Sequence, residues 1–350
     1  MNITLKRTDE QIELVKAMAS RDRAVAYEAQ QALAEFIGPV LAEVVDNAPT
    51  LSNLFSPFQF AADDNPSIPL DLYYDVTDED YIKVYSSNAP GGLPSNHVTP
   101  THSELKLTTY RLESAIDFDK RYASRSRLDV VSKSMTRLAQ EILIQQENTS
   151  AGLILGTIAD NEAKLLTRTA GAGVTMDDFN ALLTKAKRNN PSWSGGTPDR
   201  SRGITDLICS PEVVESLRSF AYNSVSTSGG SNFIADTDER RKQAFSQGGL
   251  PEFFGISIME IYELGPKAKY QQVASKLISG HGDQDFAIAL DRSREAMLRA
   301  VAVDAESGTT MTVSADDQYV GRSKKIGYYA ELEEGRCVIN DSAILGLSVQ

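Results

Sequence analysis

The side chains that most often catalyse reactions or bind metals are few in this chain and far apart. Its 350 residues include three histidines and two cysteines. His97 and His102 lie in a polar stretch near predicted turns and His281 stands alone, so no metal-ligand spacing is present. Cys209 ends an apolar run just before a predicted helix, and we expect a buried core thiol rather than a nucleophile. We therefore expect no metal and no cofactor.

Acidic pairs and a glycine-rich stretch are the remaining candidates for chemistry. Asp177-Asp178 and Asp316-Asp317 are pairs, and residues 331–334 carry three glutamates. Such charges are typical of helix first turns or solvated loops, with divalent-ion binding as the alternative. Residues 171–176 begin like a dinucleotide-binding loop but lack its third glycine and a preceding strand. Nothing assembles a nucleophile, a base and an oxyanion site, so we predict that the chain is not an enzyme.

Composition indicates a globular protein with an acidic balance. Apolar residues make up 41% and charged residues 24% of the chain, and no apolar run approaches the ~20 residues of a membrane span. The two cysteines form no disulfide framework, and no secretory signal is evident, so a reducing cytosolic origin is the default. A net charge of −13 argues against sequence-specific nucleic-acid binding, which normally needs a basic surface. An acidic wall is nonetheless compatible with enclosing packaged nucleic acid, because it repels phosphate.

A long two-stranded arm is the first element that the pattern predicts. The outgoing strand is rich in aromatic and β-branched residues, and the return strand alternates polar and apolar residues. Turn formers fill residues 88–96 between them. Each strand would exceed the usual five or six residues. We therefore expect the arm to contact neighbouring subunits, with an ordinary hairpin as the alternative; its contact residues are Tyr73, Tyr81, Tyr85, Leu105 and Leu107.

A long amphipathic helix follows the arm directly. We predict it from about residue 125 to about 151, roughly 40 Å at ~1.5 Å per residue. Its apolar residues recur at spacings of three and four, as expected for a helix lying across a sheet. A coiled coil is less favoured, because the pattern lasts only about two heptads. The seam consists of Leu128, Val131, Met135, Leu138 and Ile142.

The chain's N-terminal part predicts two helices within residues 9–48, broken or kinked at Gly38-Pro39. Thr8 and Gln11 form a capping box for the first helix. A proline-rich crossing at 49–69 separates these helices from the rest. We therefore expect them to act between subunits more than within one. Later helices and strands mix without regular βαβ alternation, which favours the α+β class.

In this order, the elements resemble the major capsid proteins of tailed bacteriophages, which have the Hong Kong 97-like fold. The resemblance is carried by the extended-loop region, the long helix, the strand-cap-helix stretch 206–212 and the tail 325–344. It implies an N-terminal helical arm and an extended β-hairpin loop, then a long spine helix with peripheral and axial domains. The implied boundaries are 1–69 (arm), 70–112 (extended loop), 113–174 (peripheral domain with the spine helix), 175–299 (axial domain) and 300–350 (return strands of the peripheral domain).

The resemblance also implies a function. The chain would self-assemble into hexamers and pentamers of an icosahedral shell that encloses packaged double-stranded DNA. The arm begins within the first dozen residues, so scaffolding would come from a separate protein; a portal and, in some shells, a decoration protein are further implied partners. The expected location is the virion, with assembly in the host cytoplasm and no membrane contact. The alternative is an encapsulin-type compartment holding enzyme cargo; the chain's length and long N-terminal arm favour the virus.

Overall fold

The computed structural model describes residues 8–46, 48, 51–61, 64–69, 104–168, 174–188, 203–222, 252–253, 255–270, 273, 276, 284–292, 296–304, 308–316 and 324–349. The helices of this part are α1 (Asp9–Ala17), α2 (Arg23–Asp46), α3 (Lys120–Ser124), α4 (Leu128–Ala159), α5 (Met176–Arg188) and α6 (Pro211–Tyr222). Its strands are β1 (Ser56–Ala61), β2 (Ser67–Pro69), β3 (Glu104–Lys106), β4 (Tyr110–Asp119), β5 (Leu165–Arg168), β6 (Asp206–Cys209), β7 (Glu252–Phe253), β8 (Ile256–Glu260), β9 (Asp285–Leu290), β10 (Met297–Val303), β11 (Thr312–Asp316), β12 (Lys325–Val338) and β13 (Ile344–Val349). The predicted α+β class is confirmed. Among the described helices, none is both long and apolar enough to cross a membrane.

The chain packs as two compact units, and the first contains Met1–Ser67, Lys106–Ser150 and Leu298–Cys337. Its five-stranded sheet has the order β1-β10-β12-β11, and β4 also pairs with β12. β4 runs antiparallel to β12, from Tyr110 opposite Glu334 to Asp119 opposite Lys325. β1 runs parallel to β10. The fourteen-residue β12 is therefore the strand that joins the other sheet members of this unit.

The N-terminal helices form part of the first unit's own core. The Thr8 side chain accepts a hydrogen bond from the Gln11 backbone N–H, as predicted for the cap of α1. The other half of the predicted capping box is not formed, because the buried Gln11 Oε1 has no hydrogen-bond partner. Val15, Leu33 and Leu41 are buried together with Tyr328 of β12. The expectation that these helices are separated from the rest is therefore wrong, because their apolar stripe is covered by the sheet and α4 of the same chain. That they also act between subunits stays a prediction.

Two helices are present, as predicted, but they separate at residues 18–22. The predicted break at Gly38-Pro39 is wrong. α2 continues through Pro39 to Asp46. A proline inside a helix costs about 3 kcal/mol, since one backbone hydrogen bond is lost. Ile37, Leu41 and Val45 are each at most 3% exposed. Burial of these side chains on both sides of the proline offsets that cost.

The long helix is observed as α4, with 32 residues. It begins at Leu128, slightly later than predicted. A separate short helix, α3, capped by Asp119, precedes it. Ser126, with φ of 53°, separates the two helices. α4 also ends later than predicted, since Ile154, Leu155 and Ile158 continue its buried apolar face.

The second unit contains Ile68–Leu105, Ala151–Met297 and Val338–Gln350. Its six-stranded sheet has the order β5-β13-β9-β6-β8-β7. Ser210 caps α6 by accepting the Val213 N–H, and Thr175 and Asp178 exchange hydrogen bonds at the start of α5. The predicted segment 300–350 is divided between the two units after Cys337. Its last strand, β13, belongs to the second unit because it pairs with β9 and β5. Which unit corresponds to a peripheral and which to an axial domain stays a prediction.

Candidate assembly surface

The predicted arm contacts lie largely beyond the described part of the chain. Leu105 is half-buried in β3, which pairs with β2. Leu107 is 8% exposed, and its backbone N–H donates to the Pro66 carbonyl at 3.0 Å. Leu107 therefore presents little surface to a neighbouring subunit. Outside the described residues lie Tyr73, Tyr81 and Tyr85, as well as His97, His102 and His281.

The predicted spine seam faces the interior of the first unit. Leu128 is the first residue of α4. The other four seam residues lie in the same buried cluster as Phe118 and Tyr328 of the sheet. Their exposed fractions are 3% or less, for Val131, Met135, Leu138 and Ile142. The seam therefore holds α4 against its own sheet.

A buried carboxylate is the feature that sequence reasoning missed. Glu334 on β12 is fully buried. Its Oε1 accepts hydrogen bonds from Tyr110 Oη at 2.8 Å and Arg336 Nη2 at 3.0 Å. Its Oε2 accepts from Gln146 Nε2 and Arg299 Nε, each at 3.0 Å. Donors from β4, α4, β10 and β12 thus converge on one side chain, and we call this group the Glu334 cluster.

The two arginines extend the Glu334 cluster to further elements. Arg336 donates to the Gln146 carbonyl at 3.0 Å and to Ser52 Oγ at 2.7 Å, and its guanidinium lies 5.5 Å from the centre of the Phe55 ring. Arg299 Nη1 lies 3.3 Å from Asp46 Oδ1 at the end of α2. Buried charges are tolerated only when they are paired and hydrogen-bonded. The cluster therefore fixes α2, the 51–54 turn, α4 and the sheet in one arrangement.

The prediction that residues 331–334 form solvated or helix-start charge is wrong for Glu334. Ile326, Tyr328, Ala330 and Leu332 are buried at alternate positions of β12. Glu334 continues that inward register, because side chains alternate across a strand. The alternation of apolar residues from Ile326 to Leu332 is the signal that could have found Glu334, because it is the next position on the same side of the strand. Since the carboxylate is occupied by donors on both oxygens, it holds structure rather than acting as a base.

Tyr110 makes the Glu334 cluster sensitive to high pH. Burial, and then the charge of Glu334, raise the pKa of Tyr110 from 10.0 to about 12. A raised tyrosine pKa stabilises the fold below pH ~10, and that contribution is lost as the pH rises to about 12. We expect chemical denaturation to show a fall in unfolding free energy over this range that is smaller in Tyr110→Phe. Equal falls in both proteins would contradict the assignment.

Gly335 is expected to tolerate no side chain. A Cβ at this position would lie 2.6 Å from the Thr108 carbonyl oxygen, which belongs to the backbone. Gly335→Ala should therefore destabilise the protein by about 1–3 kcal/mol, as overpacking does. The matched control is Gly38→Ala in the same unit, where a Cβ would meet Val313 at 3.8 Å. That change should stabilise α2 by up to about 1 kcal/mol. Equal effects in denaturant titrations would contradict the close approach.

Three apolar residues on α2 face solvent instead of the core. Val25, Phe36 and Val40 are 44%, 57% and 42% exposed. With 3.6 residues per turn they lie within about 60° of one another around the helix axis. We call them the outer stripe. Large exposed apolar groups on one face are typical of surfaces that contact another protein.

The other residues considered for chemistry, Cys209 and the pair Asp177-Asp178, lie in a buried strand and in the first turn of a helix. Cys209 is fully buried, and burial raises the pKa of its thiol. Asp177 and Asp178 lie in the first turn of α5. Within the described ranges, no group of three or more histidine, cysteine or carboxylate side chains could hold a metal ion.

No protein-family model and no curated protein matches the chain. Among solved structures it is similar to the capsid of cyanophage P-SCSP1u, with 12% identity, coverage of 85% of this chain and 86% of that chain, and a TM-score of 0.52. It is also similar to the capsid of an empty GTA particle, with 13% identity, coverage of 86% and 89%, and a TM-score of 0.52. The likeness to the holo-SrpI encapsulin complex of Synechococcus elongatus PCC 7942 is weaker, with 14% identity, coverage of 71% and 76%, and a TM-score of 0.43.

The two capsid likenesses span most of each chain compared. The chain has the Hong Kong 97-like capsid fold.

Proposed function

We propose that the chain is the major capsid protein of a tailed bacteriophage. It would assemble into hexamers and pentamers of an icosahedral shell around packaged double-stranded DNA. The observation that carries the proposal is the likeness, at a TM-score of 0.52 and over 85% of this chain, to the capsid of a cyanophage. Fold alone does not fix function, so the proposal also rests on the chain's charge and on its exposed apolar surface.

The acidic balance suits a container for DNA. The chain has 48 acidic and 35 basic residues. A wall of this sign repels phosphate, so packaged DNA would neither adhere nor be read by sequence. The chain would act as structure, without catalysis. Purified subunits should accordingly show no salt-dependent DNA affinity.

The outer stripe is the described surface that best fits a neighbour contact. Its three side chains expose apolar area that the chain's own core does not cover. Closed shells bury such patches by repeating one contact around symmetry axes. Of the arm residues predicted from the sequence, Tyr73, Tyr81, Tyr85 and Leu105 would supply the second contact, without the buried Leu107. A separate scaffolding protein, a portal and a decoration protein are the proposed partners, the virion the proposed location, and the host cytoplasm the proposed place of assembly.

Phe36→Asp should block assembly while leaving the subunit folded. Phe36 is 57% exposed, so the substitution should change the unfolding free energy by only about 0.5 kcal/mol, as at other surface sites. A charge at the centre of an apolar contact would, in contrast, prevent that contact from being buried. Phe36→Tyr keeps the ring and is the control that should still assemble. If Phe36→Asp forms normal particles in electron micrographs, the outer stripe is not part of the contact between subunits.

The contents of the purified particles test the proposal against its alternative. Particles are treated with nuclease, and the protected nucleic acid and any second protein are then measured. Protected double-stranded DNA supports the capsid protein of a virus. A protein cargo without DNA would support an encapsulin-type compartment instead and would overturn the proposal.

A further inference from the structure

Besides the outer stripe, α2 has an unusual order of charges along its length. Arg21 lies just before the helix and Glu43 lies in its last turn, and both are exposed. The first turn of α2 contains no acidic side chain and its last turn no basic one. A helix dipole favours the opposite order, with acidic groups at the start and basic groups at the end. The charges of α2 are therefore not arranged for the stability of this helix alone.

The carboxylates closest to the two ends of α2 are used within the subunit. Asp22 caps α2 by accepting a backbone N–H of its first turn at 3.1 Å. Asp46 pairs with Arg299 at 3.3 Å. These two groups are thus explained by the fold of the chain itself, and the exposed Arg21 and Glu43 are the charges that a partner can reach.

The acidic end and the outer stripe lie on the same side of α2. At about 100° per residue, Glu43 is in line with Val25 around the helix axis, and Ala32 is only about 20° away from Val25. Ala32 is exposed, and its small side chain lets a second helix approach to about 8 Å, the short end of the usual interaxial range. This side of α2 is therefore apolar along its middle, small at its centre and acidic at its end.

An antiparallel second copy of α2 is complementary to this side. If Val25 of one copy lies opposite Val40 of the other, the midpoint of the contact falls between residues 32 and 33. The midpoint between Arg21 and Glu43 is residue 32, so the same arrangement puts each Arg21 beside the Glu43 of the other copy. Antiparallel helices also place the positive end of each dipole beside the negative end of the other. One arrangement therefore covers the apolar side chains and pairs the charges.

We propose that the outer stripe binds the outer stripe of a second copy of this chain, with the two α2 helices antiparallel about a two-fold axis near Ala32. The inference rests on the proposed function, in which the outer stripe is a contact between subunits, and it names the partner surface. Such a contact is self-complementary, so Val25 meets Val40 in both halves and an Arg21–Glu43 pair forms at each end.

Oxidation of a single added cysteine tests the proposal on the full chain. In Ala32→Cys, the added thiols of the two copies lie close to the axis, where a mild oxidant can join them. Gln31→Cys is the matched control, because Gln31 is also exposed but lies about 100° away around the helix. We expect Ala32→Cys to form covalent dimers on a non-reducing gel about tenfold faster than Gln31→Cys, since a disulfide needs Cβ atoms about 4 Å apart. The wild type, with Cys209 buried and Cys337 half-buried, gives the background.

Charge exchange in the Ala32→Cys protein tests the antiparallel direction. Arg21→Glu and Glu43→Arg each place like charges together at both ends, and each should slow dimer formation about fivefold at low salt. The two substitutions together restore opposite charges and should restore the rate. About 33 Å of helix separates these positions in one chain, so the recovery reports a contact between copies. Arg23→Glu is the control that should leave the rate unchanged, because Arg23 is exposed but lies about 160° from Val25 around α2.

The outcomes separate this proposal from the proposed function. If the wild type forms particles but Ala32→Cys and Gln31→Cys form dimers at equal rates, the outer stripe contacts a different surface, and only the helix pair is overturned. Dimers specific to Ala32→Cys, in a protein that forms neither rings nor particles, would support the helix pair and contradict the shell. If the double charge variant stays as slow as the single ones, the two helices are not antiparallel, and the proposal is overturned as well.

Discussion

Glu334→Gln should destabilise the subunit by about 3–5 kcal/mol, the cost of leaving a buried ion pair without one partner. Glu334 is fully buried, and the side chains of Arg299 and Arg336 are 7% and 1% exposed. Without the carboxylate, two guanidinium groups remain in the interior with only the partly exposed Asp46 to balance them. The measurement is the free energy of unfolding from guanidinium chloride denaturation, followed by far-UV circular dichroism.

Glu333→Gln is the matched control on the next residue of the same strand. Glu333 pairs with Arg111 at 3.4 Å, and the Arg111 side chain is 65% exposed. Exposed pairs contribute about 0–1 kcal/mol. The neighbouring substitutions should therefore differ by several kcal/mol. Similar losses in both variants would show that Glu334 does not organise the first unit.

Leu138→Asp should prevent the subunit from folding stably. Leu138 is 1% exposed and packs in the core of the first unit. The substitution removes a large apolar side chain, at about 2–5 kcal/mol, and buries a charge that has no partner. Together these costs reach the 5–15 kcal/mol by which a whole domain is stable. We expect insoluble protein, measured as the soluble fraction after expression.

Ile144→Asp is the control on the same helix. Ile144 is 46% exposed, so an aspartate there remains in water and should cost only about 1 kcal/mol or less. A soluble, cooperatively unfolding Leu138→Asp protein would show that α4 does not pack on the sheet through this face.

α4 and β12 show how far sequence reasoning reaches in this fold. The seam of α4 was predictable, because an apolar residue every three or four positions has one simple solution, a helix on a core. The ends of α4 were not predictable. Ser126, with φ of 53°, separates α3 from α4, and no glycine marks this position in the sequence. On β12 the inward register was readable up to Leu332, but the next inward residue is charged. Only its partners on β4, α4 and β10, distant in sequence, make Glu334 a core residue.

The sequence predicted that the chain contacts neighbouring subunits, but not which exposed residues of α2 are available for such a contact. The sequence favoured contacts from the arm at 70–112, and those stay predictions. The outer stripe of α2 could not be foreseen, because Val25, Phe36 and Val40 are separated from the buried stripe only by their angle around the helix. Which side of an apolar helix is covered depends on the tertiary packing of the sheet.

Electron cryomicroscopy of the purified, concentrated protein tests the central claim, that this chain is a shell subunit, most directly. We expect rings of five and six copies or closed icosahedral particles, with density for α4 and both sheets in every copy and the outer stripe covered by a neighbour. A homogeneous monomer with the outer stripe exposed to solvent, and no ring or particle at any concentration, would contradict it.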